Sequence, residues 1–489
     1  MRGKGAAMEF RDMTARNMGW IALSQFVTVG VYQLVLLFLA TLLSPQDFGV
    51  YAACTIVSAL LLQMTTLGLD YAVIRSNDSW AKVISTGTLL RVLFSVSGIV
   101  IVAVFSEEIS ALFGLSGFGI TIIVASLTVI LSAISFPPQM DLTKSLQFRK
   151  LSISRMISSV VWCVLAVSLT YLGFSYWSLV LSLIPSQISG LAVLYLQSPQ
   201  RSTREVSAKV ARNLLKFGGV TSLGLLLAAF SVSIDKIIVG SILGSASLGI
   251  YWAMFQYGNL APSWLTGVIN TVMFPTYVRL DGQPAALRKA YTETLRYASE
   301  FAGLFSFGIA GASPLFVGAI LGEEWSDGVM ILSILAIAGY FTALTSPAGN
   351  VFVSQRKPQL LYQIALAFLI PLVIFLIIFT NLYGLIGASV VILSHATIMC
   401  IYVIHKSGRL LTINTSEILK GVAPSAIAGI ATATCLYLLS FELEHSIFSL
   451  VIAIIIGIAV YSLLATALSR GRFVKDVEEG IRIIKMKRV

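Results

Sequence analysis

Long apolar stretches alternate with short polar ones from one end of the chain to the other. About 20 consecutive apolar residues suffice to carry a helix across the hydrocarbon of a bilayer. Runs of that kind occupy 18–43, 48–74, 83–105, 117–136, 153–173, 175–196, 217–241, 249–275, 297–320, 329–352, 359–380, 383–404, 419–440 and 447–468. The pattern predicts an all-α polytopic membrane protein with about fourteen transmembrane spans and no room for a sizeable soluble domain. Composition agrees, since 57% of the 489 residues are hydrophobic and 11% are charged, against about 25% charged in soluble domains.

The polar segments orient these spans. Of the 33 basic residues, 31 fall in the terminal segments and every second loop. The intervening loops carry Asp47, Glu107, Glu108, Glu323, Glu324, Asp327, Glu442 and Glu444 and no basic residue. Cytoplasmic loops accumulate Lys and Arg, so both termini are expected in the cytoplasm and the protein in the cytoplasmic (inner) membrane. A miscounted helix would invert the alternation downstream of the error. The net charge of +11 is thereby explained as orientation and contact with anionic lipid, and no nucleic-acid partner is expected. The first apolar run, at about 26 residues, is too long for a secretory signal and lacks a small-residue cleavage site, so it reads as the first span.

An internal repeat sets the architecture. "LSPQDFGVYAA" (43–53) aligns with "LGSASLGIYWA" (243–253) at an offset of 200, with Leu43/Leu243, Gly49/Gly249, Tyr51/Tyr251 and Ala53/Ala253 identical. Both follow the first span of a set, and spans one and seven run in the same direction. The expectation is a parallel repeat of two six-helix lobes around a central cavity, plus two C-terminal helices. The N-terminal lobe would cover 1–196, a basic, Ser-rich cytoplasmic linker 197–216, the C-terminal lobe 217–404, the extra helices 405–468 and a cytoplasmic amphipathic tail 469–489.

Several chemistries are missing from the sequence. No G-x-x-x-x-G-K-[ST] loop cradles nucleotide phosphates, and no nucleophile elbow or Cys/His metal spacing occurs. His395, His405 and His445 are scattered, and Cys54, Cys163, Cys400 and Cys435 lie inside spans far apart; no disulfide, metal, cofactor or catalytic site is expected. The two basic residues outside the loops, Arg91 and Lys236, are the exceptions. A charge at the centre of a membrane helix costs roughly 2.5–3.5 kcal/mol on insertion scales, so function is its default reading.

Arg91 lies eight residues inside its span, roughly 12 Å at 1.5 Å per residue. It is expected to face a water-filled cavity, where its planar fork suits phosphate. The alternative is a pair with a carboxylate on another helix, for which Asp70 in "TTLGLDYAVIR" is the nearest candidate. Lys236 adjoins Asp235 in "SVSIDKIIVG". Neighbours i and i+1 do not share a helix face, so this pair is not expected to close on itself; one residue would face the cavity and the other find a partner or snorkel outward. The positions 200 residues earlier hold Val35 and Leu36, which makes the charged pair a property of one lobe. Gln33, Gln63 and Asn270 are further candidates for a hydrophilic path, although singly such residues also act as interhelical glue.

These segments carry a resemblance. "LSPQDFGVYA", "LGLDYAVIR", "FPPQMDLTKSLQFRKL", "DKIIVGSILGSASLGIYWAM" and "LYGLIGASVV", in that order, resemble the Wzx-type polysaccharide flippases of the multidrug/oligosaccharidyl-lipid/polysaccharide (MOP) exporter superfamily. The resemblance implies a carrier, not an enzyme, that moves an undecaprenyl-diphosphate-linked oligosaccharide from the inner to the outer leaflet through a V-shaped cavity. It implies substrate contacts for Arg91 and Lys236, with Asp235 orienting Lys236 or serving a coupling ion such as Na+ or H+, and polysaccharide polymerase machinery as a partner. Fourteen spans depart from the twelve common in that group and approach the lipid II flippases. The second function class is a cation-coupled multidrug exporter, which needs a cavity dominated by carboxylates.

Overall fold

The computed structural model describes residues 20, 23–76, 78–198, 205–357, 359–476 and 478. Among these the chain is helical, with no strand. Ten helices are long and apolar enough to cross a membrane. The helix Gln359–Leu411 is broken at Gly384 (φ 60°, ψ −140°) and so comprises two helical segments. Among the described residues each apolar run falls largely on helix, although not every run forms a single long one; the first is helical over 23–39 there.

The chain groups into two compact units, Met1–Gly249 and Ile250–Val489. The first contains α1 (Tyr32–Leu39), α2 (Pro45–Thr66), α3 (Leu69–Arg75), α4 (Trp80–Val104), α5 (Gly119–Lys144), α6 (Phe148–Tyr171), α7 (Leu183–Gln197) and α8 (Ala208–Leu243). There α4 packs on α5, α2 on α5, α6 and α5 on α7, and α8 along α2, α3 and α4. The second unit contains α10 (Leu260–Arg279), α11 (Pro284–Phe316), α12 (Gly328–Ser354), α13 (Gln359–Leu411), α14 (Thr415–Leu439) and α15 (Ile447–Leu468), following α9 (Ser245–Gly258), whose first residues belong to unit one. Its core gathers Tyr277, Tyr291, Tyr340, Phe352 and Leu411 around α11 and α12.

The repeated turn explains its own sequence. Ser44 caps α2: its hydroxyl accepts from the Asp47 N–H at 3.3 Å, and Asp47 Oδ2 accepts the Ser44 N–H at 2.9 Å, with Pro45 opening the helix. This reciprocal box satisfies two N-terminal donors, and Pro suits the first helical position. The other Asp47 oxygen accepts from the Ser175 hydroxyl and, at 3.1 Å, from the Tyr176 N–H, tying the turn before α7 to the start of α2.

The two copies of the repeat touch each other. A Cβ on Gly49 would lie 1.9 Å from the Ser245 carbonyl oxygen, and a Cβ on Gly249 would lie 1.8 Å from that of Pro45. The contact is reciprocal at the offset of 200. Gly114 adds a third close approach: at φ +66° it meets Gly244 Cα at 2.6 Å from its would-be Cβ.

Of the tail, residues 472–476 and 478 are helical; Phe473 packs edge-on against Tyr461 at 6.0 Å and Asp476 pairs with Arg296 at 2.8 Å. Most of the expected amphipathic helix, 479–489, lies outside the described residues, as does 199–204 of the linker.

Forcing a methyl group against a packed backbone typically costs about 1–3 kcal/mol. Gly49→Ala and Gly249→Ala should each lower the thermal unfolding temperature of the purified protein. Gly308→Ala, whose Cβ would meet nothing within 4 Å, should leave it unchanged.

Candidate functional site

Arg91 sits in the middle of α4 and is 4% exposed. It reaches Asp70 because the helix before it breaks. α2 ends at Thr66, Leu67 (φ 44°) and Gly68 (φ 61°) both adopt the left-handed conformation, and α3 restarts at Leu69. Asp70 therefore lies in the first turn of a new helix, where the exposed N–H groups and the dipole favour a carboxylate. Arg91 Nη1 donates to Asp70 Oδ1 at 2.8 Å, and the guanidinium lies 4.8 Å from the Phe136 ring centroid. Gly87, one turn earlier, makes room for that ring: its Cβ would stand 3.1 Å from Phe136 Cε1. Leu69, Val73, Val83, Ile84 and Met140 form the apolar surroundings.

The interhelical pair is thus the arrangement observed, in place of an arginine open to a water-filled cavity. The pair is lopsided, since the Arg91 side chain is 5% exposed and that of Asp70 40%. Among the described residues only one of the five guanidinium N–H donors has an acceptor.

Lys236 and Asp235 correct the expectation drawn from helix geometry. Lys236 Nζ lies 3.0 Å from both carboxylate oxygens of Asp235 and 3.0 Å from the Val232 carbonyl. Adjacent Cβ atoms do point to different faces, but the rule concerns stems, and the lysine stem has four methylenes. Helix side chains lean toward the N-terminus, so the ammonium settles over the Val232 turn and meets the carboxylate there. Both residues are buried, at 3% and 5% exposure, on a helix packed along α2, α3 and α4.

The remaining candidates are less gathered. Gln33 keeps a buried side-chain oxygen with no hydrogen-bond donor among the described residues. Gln63 is partly buried on α2, and the Asn270 side chain lies outside what the structure describes. Among the described residues no three His, Cys, Asp or Glu side chains gather as a metal site would need.

One site escaped the sequence reading. In unit one a cavity of about 350 Å³ is lined by Thr28, Ser132, Ser135, Gln139, Ser154, Arg155, Ser158, Ser159 and Gln187, with Gly190 and three leucines. The signal lay in spacing: Ser132, Ser135 and Gln139 recur at three and four residues on α5, as do Ser154, Ser158 and Arg155, Ser159 on α6. Such serines, taken one at a time, are ordinary in membrane helices; the stripes are what distinguish them.

With this geometry in view, the comparisons with known proteins can be placed. Residues 38–330 match the family described as polysaccharide biosynthesis protein, and the chain belongs to that family. The teichuronic acid biosynthesis protein TuaB of Bacillus subtilis (strain 168) is 22% identical over 63% of this chain and 64% of its own length. The matched region thus spans somewhat under two thirds of that relative. The lipopolysaccharide biosynthesis protein WzxC of Escherichia coli (strain K12) is 22% identical over 73% of each chain. Among solved structures, the lipid II flippase MurJ in an inward closed conformation superposes with a TM-score of 0.74 at 16% identity, over 92% of this chain and 99% of that one. An inward-facing multidrug resistance transporter of the MATE family overlaps less, at 0.63 and 14% identity over 79% of this chain and 94% of that one. The fold is that of these solved structures, and the resemblance to the Wzx-type flippases is borne out by the family match and by WzxC.

Removing one member of a buried ion pair typically costs about 3–5 kcal/mol, because the other charge is left uncompensated, whereas replacing both can be neutral. Lys236→Met should destabilise the protein by that order, and the double variant Asp235→Asn/Lys236→Met should recover most of the loss in thermal unfolding.

Proposed function

We propose that the protein is a flippase that carries undecaprenyl-diphosphate-linked oligosaccharide units from the inner to the outer leaflet of the cytoplasmic membrane, for O-antigen, capsule or exopolysaccharide synthesis. The observation that carries this reading is the polysaccharide biosynthesis family match over 38–330 on a chain whose fold overlaps a lipid II flippase over 92% of its length. The protein is read as a carrier, not an enzyme, with fourteen crossings in two six-helix lobes, two further helices and cytoplasmic termini.

In this mechanism Arg91 and Asp70 form an exchangeable pair. Arg91 has unused N–H donors, and Asp70 is the more exposed partner. An arriving diphosphate supplies the bidentate acceptor that suits guanidinium and displaces the carboxylate. Asp70 is then free to take up a coupling cation, Na+ or H+. Lys236 serves as the second cation on the path, held in place by Asp235 until it is drawn off. Each transfer exchanges one charge pair for another and leaves no bare charge in hydrocarbon, which the cost of an isolated buried ion forbids. Polysaccharide polymerase machinery is the downstream partner in this reading.

The multidrug alternative is supported only by the lower MATE overlap. A cationic drug needs carboxylates without cations beside them, whereas Asp70 and Asp235 are each already paired with a base.

Arg91→Ala should reduce outer-leaflet glycolipid at least tenfold at normal protein level in cells lacking the native gene. Arg91→Lys should retain part of the activity, because it keeps the charge and loses the fork. Full export in Arg91→Ala, or drug resistance on expression without a glycan phenotype, would overturn the reading. Orientation is checked separately: a cysteine at 326, an exposed position, should react with impermeant thiol reagents from outside the cell, and one at the exposed position 283 only after permeabilisation.

A further inference from the structure

The hydroxyl-lined cavity in unit one has no role in the exchange just described. Its walls come from three packed helices, α5, α6 and α7, and from Thr28. Gln139 lies five residues from the end of α5, and Ser132 twelve. At 1.5 Å per residue the cavity therefore extends from about 7 Å to about 18 Å along that helix, at the cytoplasmic end of the expected span 117–136 and just beyond it. Gly190 sets its width: a Cβ there would lie 2.1 Å from the Ser158 hydroxyl and 3.3 Å from that of Ser154.

The chemistry of the lining is unusual for a helix interface. Ser135, Ser154 and Thr28 direct their hydroxyls to backbone carbonyls, Ser154 reaching Gly190 across helices at 2.8 Å. The side chains of Ser132, Gln139, Arg155, Ser158, Ser159 and Gln187 make no hydrogen bond to any described residue. Arg155 and Gln187 are exposed and Ser132, Gln139, Ser158 and Ser159 half-buried, so their polar atoms are open to water or to a polar ligand. Its lining holds two amides, several hydroxyls and one guanidinium, with no carboxylate and no aromatic ring. A metal or drug cation finds no countercharge there. A diphosphate finds one cation only. A sugar ring finds donors and acceptors on several sides, and Arg155 can fork onto a vicinal hydroxyl pair or a uronic carboxylate. The volume, at the lower end of the ~300–1,000 Å³ typical of small-ligand pockets, suits a single saccharide unit and not the lipid.

We propose that this cavity, lined by Ser132, Gln139, Arg155, Ser158, Ser159 and Gln187, is a binding subsite for a saccharide unit of the carried glycolipid, separate from the charge pairs that meet its diphosphate. The inference rests on the flippase reading and adds to it a place where the glycan is read.

The test uses full-length protein in nanodiscs and two probes: undecaprenyl diphosphate alone, and the undecaprenyl-diphosphate-linked oligosaccharide extracted from the host strain. The variant Arg155→Gln/Ser159→Ala/Gln187→Leu removes the guanidinium charge and fork, one hydroxyl and one amide. It should weaken the sugar-bearing probe roughly tenfold or more and leave the sugar-free probe unchanged, which also reports that the variant is folded. Arg155→Gln alone should give an intermediate loss. Equal affinity for both probes in variant and parent would overturn the subsite, and so would equal weakening of both. A parent protein that binds neither probe would overturn the flippase reading itself, and this inference with it.

Discussion

Two glycines 200 residues apart allow two stretches of backbone to meet with no side chain between them. Gly49 admits the Ser245 carbonyl and Gly249 admits that of Pro45. Much of unit one depends on this contact. It fixes the end of α8 against the start of α2, and from there α8 runs back along α2, α3 and α4. That course buries Asp235 and Lys236 among apolar helices. Contacts between small residues are the usual means by which membrane helices approach closely, because lipid offers no hydrophobic drive to press them together.

Given that packing, electrostatics leaves few choices. A lone ammonium or guanidinium in hydrocarbon is too costly to persist, so each buried base of unit one is matched to one carboxylate, Arg91 to Asp70 across helices and Lys236 to Asp235 within one. The two pairs differ in a way that matters for transport. Lys236 is enclosed with its partner and a backbone carbonyl, so a ligand reaches it only once the packed helices part. Arg91 has spare donors, and its carboxylate is the more exposed half of its pair. The first is a closed exchange site, and the second an open one.

The sequence revealed most where a physical constraint acts along the chain. Hydrocarbon thickness set the apolar runs, and the repeat at Gly49 and Gly249 showed as identity because no other residue fits there. Asp70 was already in view as the carboxylate nearest Arg91. Legibility failed where the outcome depends on side-chain reach or on several helices together. The rule that neighbours do not face each other misjudged Lys236, since a lysine long enough to fold back over its own turn escapes it. The Ser and Gln stripes of α5, α6 and α7 were overlooked because each residue has an ordinary explanation, and only their convergence on one cavity distinguishes them.

The break at Leu67 and Gly68 has a mechanical side. A continuous helix transmits rotation along its whole length, so a side chain near one end moves with everything packed at the other. Two successive left-handed residues interrupt that transmission. The seven-residue α3, with Asp70 in its first turn, is therefore set by what it packs on, α4, α5 and α8, and not by the course of α2. The carboxylate beside Arg91 and the glycine contact at the far end of α2 thus lie on one span yet answer to different neighbours.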